Sequence, residues 1–577
     1  MAVSQAPWAV PKPISLRPLF LKGVPGQLDA WLAPLERPAA WCAALKPWKR
    51  MGLAFLLGAL AVLSLAPLNF LPALPIAWIG FAWLFDGVTT KRGGFATAWA
   101  FGFGYLAFGL YWISAALFTD IGKYWWLVPF AVTLLPAGLA IFWGLAGLAV
   151  TASGAKGTGR FLALVAAFTL AEFLRGTVLT GFPWNLVGYG LAGSEALLQG
   201  AALISSYGLS LFAIAVPLAL ATLCQGKVEA RLRLALPLLA IIGTVALWSW
   251  GAARLSDNPT TYHASTTVRL IQPNVQQTEK WDAENRREIL NRLITLSTQP
   301  PDDDGDTIPP IIIWPETAVP YALGIDEAAR TAVSLAIPYD GYLLTGTPHR
   351  EPLENDNEEG GFRYHNSVIT LNAAGDALGR YDKVKLVPFG EFLPLRSILR
   401  PLGMDAIAAG SSDFSPGQRL DATYLPPLLP PSLPRPLPMV CYEVIFPGLF
   451  SGAVSSADWI VTVTNDAWFG ATAGPHQHFF SARMRAIETG LPVVRVANTG
   501  ISGVIDGHGR VLVQSAINTA DVLDMPLPKP VNRATPDGSS ELNDASHFTP
   551  MWFFYILLIG WIVITVVTVR STNKTAT

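Results

Sequence analysis

Long apolar runs set two parts of this chain apart from the rest. Residues 51–253 and 551–569 hold these runs, whereas residues 254–550 have the mixed pattern of an ordinary soluble domain. A membrane-spanning helix needs roughly 20 apolar residues, so the runs predict about eight spans. They lie near residues 51–68, 71–88, 94–118, 125–151, 160–176, 202–224, 234–252 and 551–569. The first two are short and joined by a tight turn at Pro67–Asn69, so a single re-entrant hairpin is the alternative there.

Lysine and arginine residues concentrate in alternate loops between these runs. The basic positions are Lys46, Lys49, Arg50, Lys91, Arg92, Lys156, Arg160, Lys227, Arg231, Arg233, Arg570 and Lys574. Cytoplasmic loops carry such an excess of positive charge. The pattern therefore predicts cytoplasmic termini, with the soluble-like domain on the outer side. We expect a cytoplasmic segment 1–50, a seven-helix membrane domain 51–253, an outer domain 254–547, and a last helix with a short cytoplasmic tail 548–577.

The outer domain alternates strand-like and helix-like segments. A polar helix is expected near residues 281–298 and an arginine-containing helix near 477–490, and residues 417–437 form a loop or arm. This order predicts an α/β sandwich with helices outside two packed sheets. The expected strands are Val268–Pro273, Ile311–Trp314, Tyr342–Gly346, Ser367–Leu371, Pro438–Cys441, Trp459–Val463 and Val493–Val496.

Composition narrows the class of protein. Charged residues make up only 14% of the chain, against about 25% in soluble proteins, which again places part of it in lipid. A net charge of −1 offers no basic surface for nucleic acid. Only three cysteines are present, which excludes a disulfide framework and leaves Cys441 alone in the outer domain. The Pro-rich first 50 residues do not have the pattern of a removable signal peptide.

Three apolar strands each end in a group that can take part in catalysis. Glu316 follows Ile311–Trp314, Cys441 follows Pro438–Val440, and Lys383 stands in the block Arg380–Glu391. A lone cysteine is most often a small buried hydrophobe. A nucleophilic thiol needs a base, because few thiols are ionised at neutral pH, and a cation or N–H donors where the oxyanion develops. A glutamate, a lysine and a cysteine can supply these three functions.

The order of these residues resembles a known family. Glu316, Lys383 and Cys441 resemble the Glu–Lys–Cys triad of the nitrilase (carbon–nitrogen hydrolase) superfamily. Five blocks and the membrane layout are more similar still to the apolipoprotein N-acyltransferase family, which implies a nitrilase-like αββα sandwich on the periplasmic side. The blocks are Lys383–Pro394, Cys441–Glu443, Thr464–Gly470, Gly474–Phe479 with Ala482–Glu488, and Asn498–Ser502.

The resemblance implies a role for each matching residue. Glu316 is expected to be the general base and acid, Lys383 to stabilise the oxyanion, and Cys441 to be the nucleophile, with Lys385 as the competing lysine. Two further acids and three substrate-site residues are implied: Glu391 and Glu443 as supporting groups, and Trp281, Asn366 and Tyr442 for substrate binding. The backbone N–H of Tyr442 could serve an oxyanion hole.

The implied reaction moves a fatty acyl group between lipids. A phosphatidylethanolamine-like phospholipid would acylate Cys441, and the thioester would then acylate the N-terminal amine of a diacylglyceryl apolipoprotein. The resemblance implies a monomer in the bacterial inner membrane, without cofactor or metal. Two alternatives are a membrane-anchored amidase acting on small molecules, and a transporter or scaffold with an inactive nitrilase-like domain.

The sequence allows two interpretations of several other residues, one functional and one structural. His476 and His478 suggest a metal site, but no acidic or cysteine residue stands at ligand spacing, so a loop or core role is favoured. Asp302–Asp304 lacks the spacing of a calcium loop. Glu172 and Arg175 are three residues apart and form either a structural ion pair or the wall of a lipid entry site, with Trp184 beside them. Asn498 and Ser502 are either functional or structural turn residues.

Overall fold

The structure is a computed structural model that describes most of the chain. It covers residues 32–280, 282, 284–301, 308–352, 362–399, 401, 413–421, 423–531 and 550–575. Residues 32–256 and 550–575 are almost entirely helical and are called here the helical region. Residues 262–531 contain the strands and are called the sandwich region.

The helical region begins with eleven described α-helices. They are α1 (Glu36–Ala44), α2 (Pro47–Ala61), α3 (Ala73–Asp86), α4 (Lys91–Gly109), α5 (Ile121–Tyr124), α6 (Val128–Leu139), α7 (Ile141–Ala152), α8 (Gly157–Thr177), α9 (Glu195–Leu198), α10 (Ala201–Ala221) and α11 (Ala230–Ser256). A 3-10 segment, Tyr111–Asp120, follows α4.

The sandwich region contains eleven described strands and four α-helices, and one last helix follows it. The strands are β1 (Tyr262–Gln272), β2 (Ile311–Ile313), β3 (Tyr342–Pro352), β4 (Phe362–Asn372), β5 (Ala377–Asp382), β6 (Pro436–Val440), β7 (Trp459–Thr464), β8 (Val493–Ala497), β9 (Gly503–Ile505), β10 (Val511–Gln514) and β11 (Asp521–Pro528). The helices are α12 (Arg286–Ser297), α13 (Glu327–Ser334), α14 (Arg396–Leu399), α15 (Ala473–Thr489) and, returning to the helical region, α16 (Pro550–Thr575).

The described strands form two sheets. One has the order β11-β1-β2-β3-β4-β5 and the other β10-β9-β8-β7-β6. The neighbours β1, β2 and β3 run parallel, as do β6, β7 and β8. The carboxyl ends of parallel strands meet at one edge of a sheet, and such edges commonly hold the reactive groups of α/β proteins.

Both faces of the first sheet are buried, as the strand β2 illustrates. Ile311 and Ile313 point into the large core between the sheets, whereas Ile312 joins a second core beneath α12 and α13. Successive side chains of a strand face opposite sides, so a sheet covered on both sides requires a continuous apolar run such as this one. The α/β sandwich predicted from the sequence is confirmed.

The helices of the helical region fit the prediction of membrane spans in part. Within the described residues, five helices or joined helix pairs are long and apolar enough to cross a bilayer, and a sixth results if α4 and the following segment, bent by 45°, count as one span. The first two predicted runs become α2 and α3, of 15 and 14 residues. Both are shorter than the roughly 20 residues of a full span. The total of eight stays a prediction.

Glycines allow α2 and α4 to approach each other closely. A Cβ on Gly58 would lie 2.0 Å from the Phe101 backbone oxygen, and a Cβ on Gly104 would lie 2.0 Å from that of Phe55. Small residues at such contacts are typical of helices packed within membranes, where dispersion contacts rather than water exclusion hold helices together.

Candidate active site

Glu316 lies just beyond β2, and both of its carboxylate oxygens are held. Oε1 accepts a hydrogen bond from Asn366 Nδ2 at 2.7 Å, and Oε2 accepts one from the Asn465 backbone N–H at 2.9 Å. Lys383 Nζ is 3.6 Å from Oε1. A Cβ on Gly346 of β3 would come within 2.6 Å of the Glu316 Cα, so the absence of a side chain there makes this position possible.

Lys383 directly follows β5 and is buried between two carboxylates. Its Nζ lies 2.9 Å from Glu391, which also accepts hydrogen bonds from Asn366 Nδ2 at 2.7 Å and from the Val387 N–H at 2.8 Å. Burial alone would lower the pKa of Lys383, but the carboxylates of Glu391 and Glu316 outweigh it and raise the pKa above its ordinary value. The side chain is therefore a permanent cation.

Cys441 is the first residue after β6 and begins a 3-10 turn, Cys441–Ile445. Its φ of 49° is left-handed, a conformation that costs a non-glycine residue of order 1–3 kcal/mol and is found mostly at functional sites. Burial and the Glu316 carboxylate raise the pKa of the thiol, and the Lys383 ammonium opposes them. The resting thiol is therefore protonated and needs a base before it can attack.

Glu443 ties the lysine segment to the cysteine segment. Its Oε1 accepts hydrogen bonds from the Tyr381 hydroxyl at 2.8 Å and from the N–H groups of Val384 at 2.7 Å and Lys385 at 3.0 Å. Its Oε2 accepts one from the Val440 N–H at 2.7 Å. Burial raises the pKa of Glu443, and these donors oppose that shift. One side chain thus fixes the backbones of both segments.

Most of the residues predicted for the site therefore lie together. Glu316, Lys383 and Glu391 are in direct contact, and Asn366 bridges the two glutamates. Tyr442 is adjacent to the cysteine and is buried. Trp281 lies outside the described residues.

Comparison with known proteins extends this picture to the whole chain. Residues 57–219 match the family model described as "Apolipoprotein N-acyltransferase N-terminal domain", and residues 267–536 match "Carbon-nitrogen hydrolase". A protein of Allorhizobium ampelinum named apolipoprotein N-acyltransferase is 39% identical over 499 residues, which are 85% of this chain and 92% of that protein. A protein of the same name from Brucella melitensis is 36% identical over 86% of this chain and 93% of its own length. The chain belongs to the apolipoprotein N-acyltransferase family.

Among solved structures, a crystal structure of an amidase from Nesterenkonia sp. covers 47% of this chain and 94% of its own. It is 17% identical, with a TM-score of 0.32. A likeness of this size adds nothing to the assignment to the apolipoprotein N-acyltransferase family, which rests on the family models and the sequence relatives.

In this member of the apolipoprotein N-acyltransferase family, the loop 178–186 of the helical region touches the sandwich region. The Gln477 side-chain oxygen accepts hydrogen bonds from Trp184 Nε1 at 2.8 Å, Trp112 Nε1 at 3.0 Å and Asn185 Nδ2 at 3.2 Å. The three donors belong to the helical region and the acceptor to α15. This contact is one of several that join the two regions.

Two more contacts reach the neighbourhood of the nucleophile. The Tyr442 hydroxyl donates to the Gly181 backbone oxygen at 3.0 Å, and Lys385 Nζ donates to that of Thr180 at 2.8 Å. Lys385 Nζ also lies 4.9 Å from the centre of the Phe446 ring. The two lysines of the predicted block thus differ in surroundings, because Lys383 contacts the carboxylates whereas Lys385 contacts the helical region.

The buried ion pair of Glu172 and Arg175 holds the backbone of loop 178–186 in place. Their side chains are 2.9 Å apart, and Arg175 Nη1 donates to the backbone oxygens of Phe182 at 2.7 Å and Trp184 at 2.9 Å. Glu172 Oε2 accepts from the Val187 N–H at 2.9 Å. Of the two interpretations left open by the sequence, the geometry favours the structural ion pair.

A second buried cluster lies on the other side of Cys441. His478 Nε2 is 3.0 Å from the Cys441 backbone oxygen, and its Nδ1 is 2.9 Å from Asp466 Oδ1. Asp466 accepts hydrogen bonds from Arg495 Nη2 at 2.6 Å and from the Thr464 hydroxyl at 2.9 Å. Burial would raise the pKa of Asp466, but Arg495 and His478 outweigh it and lower the pKa well below its usual value.

The sequence pattern gave these residues no role in the chemistry. Two signals pointed to them. Asp466 and His478 stand in the family blocks Thr464–Gly470 and Gly474–Phe479, and Asn465 and Asp466 follow β7, the parallel neighbour of β6, at the same sheet edge as Cys441. Lys280 was also missed: it is buried, and its Nζ donates to the Glu316 backbone oxygen at 3.3 Å.

Asn498 and Ser502 make structural contacts. The Asn498 side chain bonds the Val275 backbone and the Asn465 side-chain oxygen, the latter at 3.0 Å. The Ser502 hydroxyl donates to Gln272 Oε1 at 2.6 Å. These contacts support a structural role for Asn498 and Ser502 as turn residues. Asn498 also fixes Asn465, whose backbone N–H donates to Glu316.

Metal binding has no support in the described part of the chain. No group of three or more His, Cys, Asp or Glu side chains there is placed to hold an ion. His478 is a core residue and His476 is partly buried. Asp302–Asp304 lies outside the described residues.

Proposed function

We propose that this chain transfers a fatty acyl group from a membrane phospholipid to the N-terminal amine of diacylglyceryl apolipoproteins. The observation that carries the proposal is the meeting of Glu316, Lys383 and the Cys441 segment in a chain of the apolipoprotein N-acyltransferase family. The residue roles proposed below are those that the family resemblance implies, and the contacts in this site support them.

In the first step, Cys441 Sγ attacks the ester carbonyl of the phospholipid. Glu316 takes the thiol proton, and Lys383 Nζ faces the negative charge that forms on the carbonyl oxygen. The intermediate then expels the lysophospholipid oxygen, which receives the proton from Glu316. A thioester remains on Cys441, and the raised pKa of the thiol explains why a neighbouring carboxylate is needed.

In the second step, the amine of S-diacylglyceryl-cysteine attacks the thioester carbonyl. Glu316 removes a proton from the nitrogen and returns it to the departing Cys441 sulfur. A thioester is more reactive than the amide that replaces it, so this step needs no cofactor. Because the lysophospholipid leaves before the amine reacts, the kinetics are ping-pong.

The site's supporting residues hold these groups in place. Glu391 and Asn366 fix Lys383 and Glu316, and Glu443 fixes the segment that carries Cys441. We assign Tyr442 and Trp281 to substrate binding, together with Asn366, as the resemblance implies.

The apolar helices explain why such an enzyme stays at the bilayer. Moving a 16-carbon chain into water costs on the order of 12 kcal/mol at ~0.8 kcal/mol per CH₂, so both substrates must react at the membrane surface. We therefore propose that the protein lies in the bacterial inner membrane with residues 254–547 in the periplasm, and, as the resemblance implies, that it is a monomer. Residues 51–253 and 548–577 would supply eight spans, and both termini would be cytoplasmic.

The test is the mass of the purified full-length protein after mixing with phosphatidylethanolamine. We expect an acyl-sized adduct that is absent from Cys441→Ala and that a diacylglyceryl-cysteine peptide discharges, with the acyl group appearing on the peptide amine. Other phospholipids in the same assay measure head-group preference.

Three results would contradict the proposal. They are turnover without an adduct, an adduct that persists in Cys441→Ala, and release of free fatty acid with no transfer to the peptide. The last result would favour the amidase alternative.

A further inference from the structure

The peptide bond between Cys441 and Tyr442 is held at its carbonyl oxygen. The Cys441 carbonyl oxygen lies 3.0 Å from His478 Nε2. The bond is trans, since the one cis bond among the described residues is Ala66–Pro67. In a trans peptide the C=O and the following N–H point in opposite directions. The Tyr442 N–H therefore points away from His478 and α15.

Among the residues that the structure describes, none accepts a hydrogen bond from the Tyr442 N–H. Tyr442 is the second residue of the 3-10 turn Cys441–Ile445, and the first N–H groups of a helical turn have no acceptor within it. The left-handed φ of Cys441, 49°, turns the chain sharply where β6 ends and this peptide begins. An N–H in this position, one residue after the nucleophile, can donate to the oxygen of a carbonyl that the thiol attacks.

The His478 imidazole is held by polar contacts at Nδ1 and by an aromatic ring stacked on its face. Its Nδ1 lies 2.9 Å from Asp466 Oδ1 and 3.1 Å from Arg495 Nη2. Trp184 of the helical region stacks on the imidazole, with ring centres 5.3 Å apart and planes at 28°. A carbonyl oxygen only accepts hydrogen bonds, so Nε2 carries a proton whatever the state of Nδ1.

A purely structural explanation of this cluster is weak. Asp466, His478 and Arg495 are fully buried, and buried ion pairs generally stabilise a fold no better than apolar side chains of similar volume. What the cluster adds is a directed N–H donor, rigidly placed against the backbone of the nucleophile.

We propose that His478 is a positioning residue that orients the Cys441–Tyr442 peptide, so that the Tyr442 N–H and Lys383 Nζ together bind the oxyanion. The inference rests on the proposed function. When Sγ bonds to the acyl carbon, the carbonyl electron pair moves to oxygen, and these two donors face that charge. The thiol proton passes to Glu316 and then to the leaving oxygen as the carbon–oxygen ester bond breaks.

The test compares two reactions of Cys441 in the full-length protein. Acetylation by p-nitrophenyl acetate passes through an oxyanion and releases p-nitrophenol. Alkylation by iodoacetamide forms a carbon–sulfur bond and releases iodide without any oxyanion. Peptide mass spectrometry measures both rates at Cys441, and Cys441→Ala controls for Cys42 and Cys224.

Two matched variants separate the hydrogen bond from the rest of the ring. In His478→Gln the amide N–H extends to the place of Nε2 and can still reach the Cys441 oxygen. In His478→Asn the amide reaches only the place of Nδ1. We expect His478→Asn to acetylate at least tenfold more slowly than wild type, consistent with the loss of an oxyanion donor, and His478→Gln to recover most of that loss. Alkylation stays within about threefold of wild type in both.

Equal acetylation by the Gln and Asn variants would overturn the inference, and so would parallel losses of acetylation and alkylation. Wild-type protein that is acetylated by p-nitrophenyl acetate but not acylated by phosphatidylethanolamine would instead contradict the proposed lipid donor and leave the role of His478 intact. Failure of either reagent to label wild-type Cys441 would contradict both.

Discussion

Two clusters of buried charged residues flank Cys441, and they differ in composition and in what they touch. The front cluster, Glu316, Lys383 and Glu391, has two carboxylates and one ammonium. The back cluster, formed by Asp466, His478 and Arg495, has one carboxylate, one guanidinium and an imidazole.

The two clusters have different roles: the front cluster takes part in proton transfer, whereas the back cluster fixes the geometry of the site. Burial and the Glu316 carboxylate raise the pKa of the Cys441 thiol, and this carboxylate can take the thiol proton. In the back cluster the pairing of Asp466 with Arg495 leaves no surplus charge, and burial together with Arg495 lowers the pKa of His478. The front cluster thus changes its protonation during the reaction, whereas the back cluster keeps a fixed structure.

The largest effect is expected from Glu316→Gln. An amide cannot accept the thiol proton, and general acid–base catalysis contributes about 10²–10⁴-fold. We expect the rate of acyl-adduct formation with phosphatidylethanolamine to fall at least about 10³-fold. The unfolding midpoint should also fall, because the single amide oxygen can accept from only one of the two donors, Asn366 and Asn465, so rates are compared well below that midpoint. Adduct formation near the wild-type rate would give the base function to another residue.

Lys383→Met should come next, with Lys385→Met as the matched control. Loss of an oxyanion donor costs about 10²–10³-fold, and loss of the neighbouring cation also reduces thiolate formation. We therefore expect acetylation and iodoacetamide alkylation of Cys441 to fall together in Lys383→Met, unlike in the His478 variants.

In Lys385→Met both rates should stay within a few fold of wild type, because this lysine bonds the Thr180 oxygen instead of the front cluster. Equal losses of these rates in Lys383→Met and Lys385→Met would make Lys385 an equal candidate for the lysine that stabilises the oxyanion.

Asp466→Asn tests the back cluster through stability. It leaves Arg495 buried without a carboxylate, which costs about 3–5 kcal/mol. The matched control is Asp524→Asn, where the partner Arg269 is equally buried but Asp524 is 24% exposed. We expect the unfolding midpoint in detergent to fall several degrees further for Asp466→Asn. A larger fall for Asp524→Asn would contradict the idea that the back cluster is a rigid support.

The smallest effect is expected from Lys280, below the front cluster. Burial lowers its pKa to about 8, with Glu316 opposing. Above that pH the folded protein releases this proton while the unfolded chain keeps it, so the free energy of unfolding rises with pH between about 8 and 10.5. Relative to Lys280→Met, wild type should gain at most about 3 kcal/mol over this interval. Unfolding midpoints at pH 7, 8.5 and 10 measure it, and parallel curves would show that Lys280 is not the titrating group.

The front cluster could be predicted from the sequence because Glu316 and Lys383 each directly follow a strand, and Glu391 stands in the family block Lys383–Pro394. Strand ends at one edge of a sheet bring such residues together, and the blocks around Lys383 and Cys441 are family signatures. Their roles in catalysis remain predictions until the variants are measured.

The back cluster could not be predicted in this way. Asp466 and His478 are 12 residues apart, and Arg495 lies on β8, so no local periodicity connects them. Asp466 and Arg495 come from neighbouring strands of the second sheet, and only the packing of α15 against that sheet brings His478 to them and to Cys441. The bend after α4 could not be predicted either. Hydropathy shows how apolar a segment is and not where its axis turns.

The contacts of loop 178–186 have a consequence for how this enzyme can be studied. A water-soluble fragment made by excising the sandwich region would lose the acceptor of the Tyr442 hydroxyl and the three donors to Gln477. Such a fragment would keep every residue assigned to the chemistry and still lack part of the scaffold that orients them. The helical region thus supports the segments around Cys441, and nanodiscs or micelles are the appropriate medium for every kinetic comparison above.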